Sequence, residues 1–171
     1  MVFYYPLEYT LMEITDSLSN DIKDAPDWFH SAISQDPRKE NLNHPLGKLA
    51  YQVWDRKDAQ DIILLIHGTG AHKKWWDPIG PLLNNKFSVI APDLPGMGES
   101  DHRNAYNFEE FSEALIAIIN QEKIVSNDKK IYLVGHSLGG HVAGFMASEF
   151  PDLFHGVIMI DSPIRPPTYD Y

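Results

Sequence analysis

Residues 131–140 read Ile-Tyr-Leu-Val-Gly-His-Ser-Leu-Gly-Gly, and this stretch decides how the chain folds. Ile131–Val134 is a short apolar run of the kind found in strands buried on both faces. Residues 138–149 are small and apolar, read as a helix, and stop before Pro151. Between the two, Gly135-His136-Ser137-Leu138-Gly139 fits the pattern G-x-S-x-G, which sets a serine at the apex of a sharp strand-to-helix turn. A turn that tight presses the backbone against the neighbouring helix. Side chains at 135 and 139 would therefore clash, and Gly140 extends the relief. An ordinary glycine-rich turn with an incidental serine is the competing reading, and the rest of the chain decides between them.

Upstream, Ile62–Ile66 is a second buried-strand run, followed directly by His67-Gly68-Thr69-Gly70. Lys48–Trp54 alternates in the strand manner, and Phe87–Ala91 and Val157–Ile160 are further apolar runs. Helical signals lie between them. Asp77-Pro78 has the N-cap and first-turn chemistry of a helix start. Asn107, with Glu110 three residues on, caps a segment whose Phe108, Phe111, Leu115, Ile118 and Ile119 share one face. Strands alternating with helices imply βαβ crossovers and hence an α/β fold, a mostly parallel sheet with helices on both faces. Chemistry in such sheets sits at the carboxyl ends of the strands.

The 171 residues, 43% apolar and 22% charged, suit one globular domain with a real core. A net charge of -10 opposes nucleic-acid binding, which needs clustered Lys and Arg. With no cysteine, neither a disulfide framework nor a thiolate metal site is available. The first 30 residues carry no basic and then apolar leader, and no apolar run nears the roughly 18 residues of a membrane span. A cytoplasmic protein with no membrane association is the expectation. Residues 1–45 read as an N-terminal extension with one short amphipathic stretch around Trp28, Phe29 and Ile33, and residues 46–163 as the core. Residues 1–11 differ in character from the polar stretch after Met12, which raises Met12 as the true start.

Four motifs in order, the loop His67–Gly70, the turn Ala91–Ser100 (APDLPGMGES), the turn Gly135–Gly140 and Asp161-Ser162-Pro163, resemble the α/β-hydrolase superfamily in its soluble serine esterase-like branch, from about Gly47 to Pro163. The resemblance implies that Ser137 is a nucleophile that forms an acyl-enzyme with a carboxylic ester, a thioester or a related small-molecule acyl substrate. It implies an oxyanion held by the backbone N–H groups of Leu138 and Thr69, with Gly70 as the second candidate for the latter. No metal and no organic cofactor is implied.

The family's chain order is serine, acid, histidine. Asp161 stands where part of the superfamily carries the acid; a turn-forming role is the alternative. After Ser137 only His141 and His155 remain. His155 precedes the strand Val157–Ile160 at the end of the sheet away from the chemistry, and His141 reads as a packing residue in the first helical turn. His67 and His136 match scaffold positions, and His72 either lines the pocket or is solvated. None matches the family's base. The resemblance therefore implies that the base histidine, the cap and the last two strands lie outside this sequence, residues 164–171 being the start of that cap, and that the 171 residues alone are incomplete. A fragment of a longer enzyme is the most economical reading, a remainder supplied by a second chain and a degenerate relative the alternatives. The strand at 157–160 would then be an open apolar edge prone to self-association. Asp93 and Ser100 are expected to hold a loop rather than react, and Trp75, Trp76 and Met97 either shape an acyl pocket or belong to the core.

Other readings stay open. A non-catalytic binding or assembly module of the same fold would keep the pocket without turnover, and carbon-carbon bond hydrolases and cofactor-free haloperoxidase-like members also use serine. Haloalkane dehalogenases and epoxide hydrolases place an aspartate where Ser137 stands. A dinucleotide-binding oxidoreductase would need G-x-G-x-x-G after its first strand, a spacing this chain lacks.

Overall fold

A computed structural model describes residues 22–59, 61–123 and 129–164. The expectations about residues 1–11, the start at Met12 and the cap segment beyond Ile164 fall outside these residues.

Six strands form one sheet: β1 (Arg38–His44), β2 (Gly47–Trp54), β3 (Asp61–Ile66), β4 (Ser88–Pro92), β5 (Lys130–His136) and β6 (Phe154–Ile160). Their order across the sheet is β1-β2-β4-β3-β5-β6. The neighbours from β4 through β3 and β5 to β6 pair in parallel, while β2 is antiparallel to both β4 and β1. The helices are α1 (Asp27–Ile33), the 3-10 turn Lys73–Trp76, α2 (Gly80–Leu83), α3 (Phe108–Gln121) and α4 (Leu138–Glu149).

Alternation along β3 explains why its sequence is continuously apolar. Ile62, Leu64 and Ile66 pack with Phe111, Leu115 and Ile118 of α3 and with Val142 and Met146 of α4. Ile63 and Leu65 join Trp54, Trp76, Val89 and Ala91 in a second core on the other face. Each such side chain removed from water contributes about 1.5–3 kcal/mol, so β3 anchors both layers. On α3 the expected cap is present: the Asn107 side chain accepts from the Glu110 N–H at 2.7 Å.

Two local expectations are corrected. The sheet starts at Arg38, ahead of the boundary at 46, because Arg38–His44 pairs along the whole of β2. The half-buried residues of β1 are Glu40, Leu42 and His44, of which one is apolar, so no apolar period marks it. Backbone pairing and the contacts of Arg38 with Asp55 (2.7 Å), Glu40 and Glu122 (both 2.8 Å) carry it instead. The helix start at Asp77-Pro78 also fails. The Asp77 carboxylate accepts from the Gln52 side chain at 2.7 Å, and the chain reaches only the four-residue α2 three residues later.

At the far edge, Tyr132 and Val134 of β5 pack half-buried against the second core, whereas Ile158 and Ile160 of β6 are exposed. No helix among the described residues is long and apolar enough to cross a membrane.

Candidate active site

β5 ends at His136 and α4 begins at Leu138, which leaves Ser137 alone at the apex. Its φ of 51° and ψ of -118° lie where a side chain costs about 1–3 kcal/mol, so surrounding contacts must impose the conformation. They come from the end of β6. The Ser137 N–H donates to the Ile160 carbonyl at 2.9 Å, and the Ser162 hydroxyl donates to the Ser137 carbonyl at 2.8 Å. The glycines have the reason the sequence implies. A Cβ on Gly135 would overlap the Gly139 carbonyl, one on Gly139 the Ile66 carbonyl, and one on Gly140 the Ser162 hydroxyl.

The loop after β3 lies directly against this apex. A Cβ on Gly68 would stand 3.1 Å from Ser137 Cβ and 2.9 Å from His136 Nδ1, so the main chain there comes as close as a main chain can. Among the described residues, neither the Thr69 N–H nor the Leu138 N–H donates a hydrogen bond. For Leu138 this follows from its place, because the first N–H of a helix has no partner within it.

His67 fixes the loop. Wholly buried, it takes the Leu94 N–H on Nε2 at 3.0 Å, so the ring proton is on Nδ1, which donates to the Gly68 carbonyl at 2.8 Å. Burial holds its pKa below the ordinary 6.5, although the Gly68 bond and Asp93 pull the other way. A neutral imidazole thus ties the loop to the turn at 93–100.

A second tie was not legible in the sequence. Lys73, 2% exposed, donates from Nζ to Asp93 at 2.7 Å and to Glu99 at 2.8 Å, and its main-chain N–H reaches the other Asp93 oxygen. Burial works against the ammonium, but the two carboxylates outweigh it and raise its pKa; Lys73 in turn lowers that of Glu99. Asp93 also accepts from the Glu99 N–H, and the Ser100 hydroxyl joins the Asp93 carbonyl to the Ala50 N–H. Asp93 and Ser100 therefore brace the turn, in the role expected of them.

A cleft of about 510 Å³ opens in front of Ser137, floored by residues 68–72 and walled by Lys74, Trp75 and His136. Trp75 is exposed and stacks on the His136 ring at 5.7 Å, whereas Trp76 is buried in the second core. Met97 leans on the main core and, with Leu138, lines a separate hollow of about 400 Å³. A further hollow of about 360 Å³, between Asp55, Ser88, Glu122 and Lys129, lies at the amino ends of the parallel strands, away from the serine.

The structure brings Ser137, Thr69 and Leu138 together but brings no histidine nitrogen to the serine hydroxyl among the described residues. His141 contacts the Pro163 carbonyl at 3.2 Å, His155 packs near Tyr132 on the amino-terminal half of β6, and His72 lines the cleft. Asp161 is exposed just beyond β6 with a φ of 48°, and no described histidine bonds to it.

Comparison with known proteins is consistent with this geometry. A family described as the alpha/beta hydrolase fold matches residues 61–170. A serine hydrolase-like protein of Danio rerio is 30% identical over 118 residues, which are 69% of this chain and 36% of that protein. Among solved structures, Cfl2 of Burkholderia cenocepacia superposes with a TM-score of 0.70 at 25% identity, over 80% of this chain and 48% of its own. A haloalkane dehalogenase loop variant from Bradyrhizobium elkanii gives 0.67 at 30% identity, over 77% and 42%. The chain thus spans about a third of that curated relative and about half of these structures.

Proposed function

This chain belongs to the α/β-hydrolase family, and from that premise we propose that it acts as a serine hydrolase on small carboxylic esters, thioesters or related acyl compounds. The observation that carries the reading is Ser137 held at a strained apex beside two main-chain N–H groups, those of Thr69 and Leu138, that have no partner among the described residues. Serine rather than aspartate at this position argues against dehalogenase chemistry.

In the proposed reaction the Ser137 hydroxyl oxygen attacks the substrate carbonyl carbon and its proton passes to a base. Carbonyl π electrons move onto the oxygen, where the Thr69 and Leu138 N–H groups stabilise the charge; such donors contribute about 3–4 kcal/mol each to the transition state. Collapse expels the alcohol or thiol with the proton, and water then cleaves the acyl-enzyme by the same steps. We place the base outside the eight histidines of this sequence, since none of them reaches Ser137. Asp161 turns the chain after β6 and would serve as the acid only beside a histidine brought to it.

Intact mass after fluorophosphonate treatment tests the reading on the protein isolated from the cell that makes it. One adduct per chain, lost in Ser137→Ala, is expected. An adduct that survives the substitution overturns the assignment of Ser137. A folded protein that takes no adduct favours the non-catalytic binding module.

A further inference from the structure

The cleft at Ser137 differs in charge from the molecule around it. The chain carries 24 acidic against 14 basic residues, yet among the described residues no carboxylate lines this cleft, whereas Lys74 and His72 do. Lys74 is exposed and forms no ion pair with a described residue. The acids near it hydrogen-bond to other groups. Glu99, whose carboxylate feels Lys74 only weakly, is bonded to Lys73 at 2.8 Å, and Asp77 accepts from Gln52 at 2.7 Å. Lys73 offsets one of the two carboxylates it bonds, and Lys74, its neighbour in the chain, stands at the cleft itself. Trp75 adds apolar surface beside it.

We propose that this cleft selects acyl substrates bearing an anionic oxygen group, a carboxylate or a phosphate, which pairs with Lys74 while Trp75 covers the carbon skeleton. A cavity of this volume is roughly 8 Å across, about one Debye length at physiological salt, so the Lys74 charge is felt throughout it. The proposal rests on the Ser137 cleft being the substrate site.

Binding of 4-phenylbutyrate, phenyl phosphate and the uncharged 4-phenylbutanamide to the 171-residue protein, read by tryptophan fluorescence and ligand-observed NMR, tests it. At least one anion should bind about tenfold more tightly than the amide. The preference should vanish in Lys74→Gln, persist in Lys74→Arg and weaken at high salt; the tighter anion identifies the group. Equal affinities, no binding of any of the three, or a preference that survives Lys74→Gln overturns the proposal. Lys74 is exposed, so these variants fold. Fluorophosphonate labelling of the wild type separates the two readings: an anion preference without labelling counts against the serine mechanism alone, and labelling without the preference counts against the anion site alone.

Discussion

The Ser162 hydroxyl reaches across 2.8 Å to the carbonyl oxygen of Ser137, so a residue just beyond the edge strand also holds the apex of the turn at 135–139. The same hydroxyl lies 3.0 Å from the Ile160 carbonyl, which itself takes the Ser137 N–H. Ser162→Ala removes this clamp and should lower stability by about 1 kcal/mol in urea denaturation. No loss would mean that the strained apex is held without it.

Gly139 and Gly70 should respond to alanine for different reasons. At 139 the added methyl meets the carbonyls of Ile66 and His67, main chain that cannot swing aside, and the loss should reach about 3 kcal/mol or more. At 70 there is open space within 4 Å but a φ of 72°, and the loss should be about 1–2 kcal/mol. Denaturation midpoints compare the two directly; the reverse order would show that β3 and α4 are not in close contact.

His67 makes stability depend on pH. Its native pKa lies below the ordinary 6.5 of the unfolded chain, so the unfolded state takes up a proton that the native state refuses. The contribution is complete above 6.5 and is lost as pH falls through the native value, with a slope of at most about 1.4 kcal/mol per pH unit. His67→Gln should flatten the stability profile below the ordinary histidine pKa of about 6.5. An unchanged slope in the variant would exclude His67 as its source.

Lys73→Met leaves the buried Asp93 carboxylate without its cation. Removing one partner of a buried pair costs about 3–5 kcal/mol, and that loss is expected in calorimetry. The double change with Asp93→Asn should recover part of it, since no charge then remains buried. A double variant no better than the single would show that packing of the lysine stem dominates.

Among the described residues no strand pairs with the outer side of β6, and we propose that a second copy pairs there. Ile158→Lys places a charge on the exposed strand, and sedimentation should show less association than in the parent chain. Association that persists unchanged would place the contact elsewhere.

Much of the site could be read from residues alone because its constraints are local. Two glycines around a serine after a buried run require the tight turn at 135–139, and an asparagine three residues before a glutamate caps α3. What escaped the sequence depends on distant partners. Arg38–His44 has no apolar period, because an edge strand is fixed by its neighbour's backbone. Asp77 looks like a helix cap until Gln52 takes its carboxylate. Trp75 and Trp76 are adjacent and chemically identical, yet the 3-10 turn sends one to the cleft and one to the core. Lys73 gives no sign of burial, since the acids that permit it lie 20 and 26 residues away.

Because the Ser137 amide donates to Ile160 and not to its own helix, its exchange with deuterated solvent is set by how often β6 undocks. Interior amides of β3 open only with the whole sheet, so the apex should lose its protection earlier than they do. The readiness of the reactive turn is thus timed by the border of the sheet, and a ligand or neighbour that seals that border would slow the exchange of an amide it never touches.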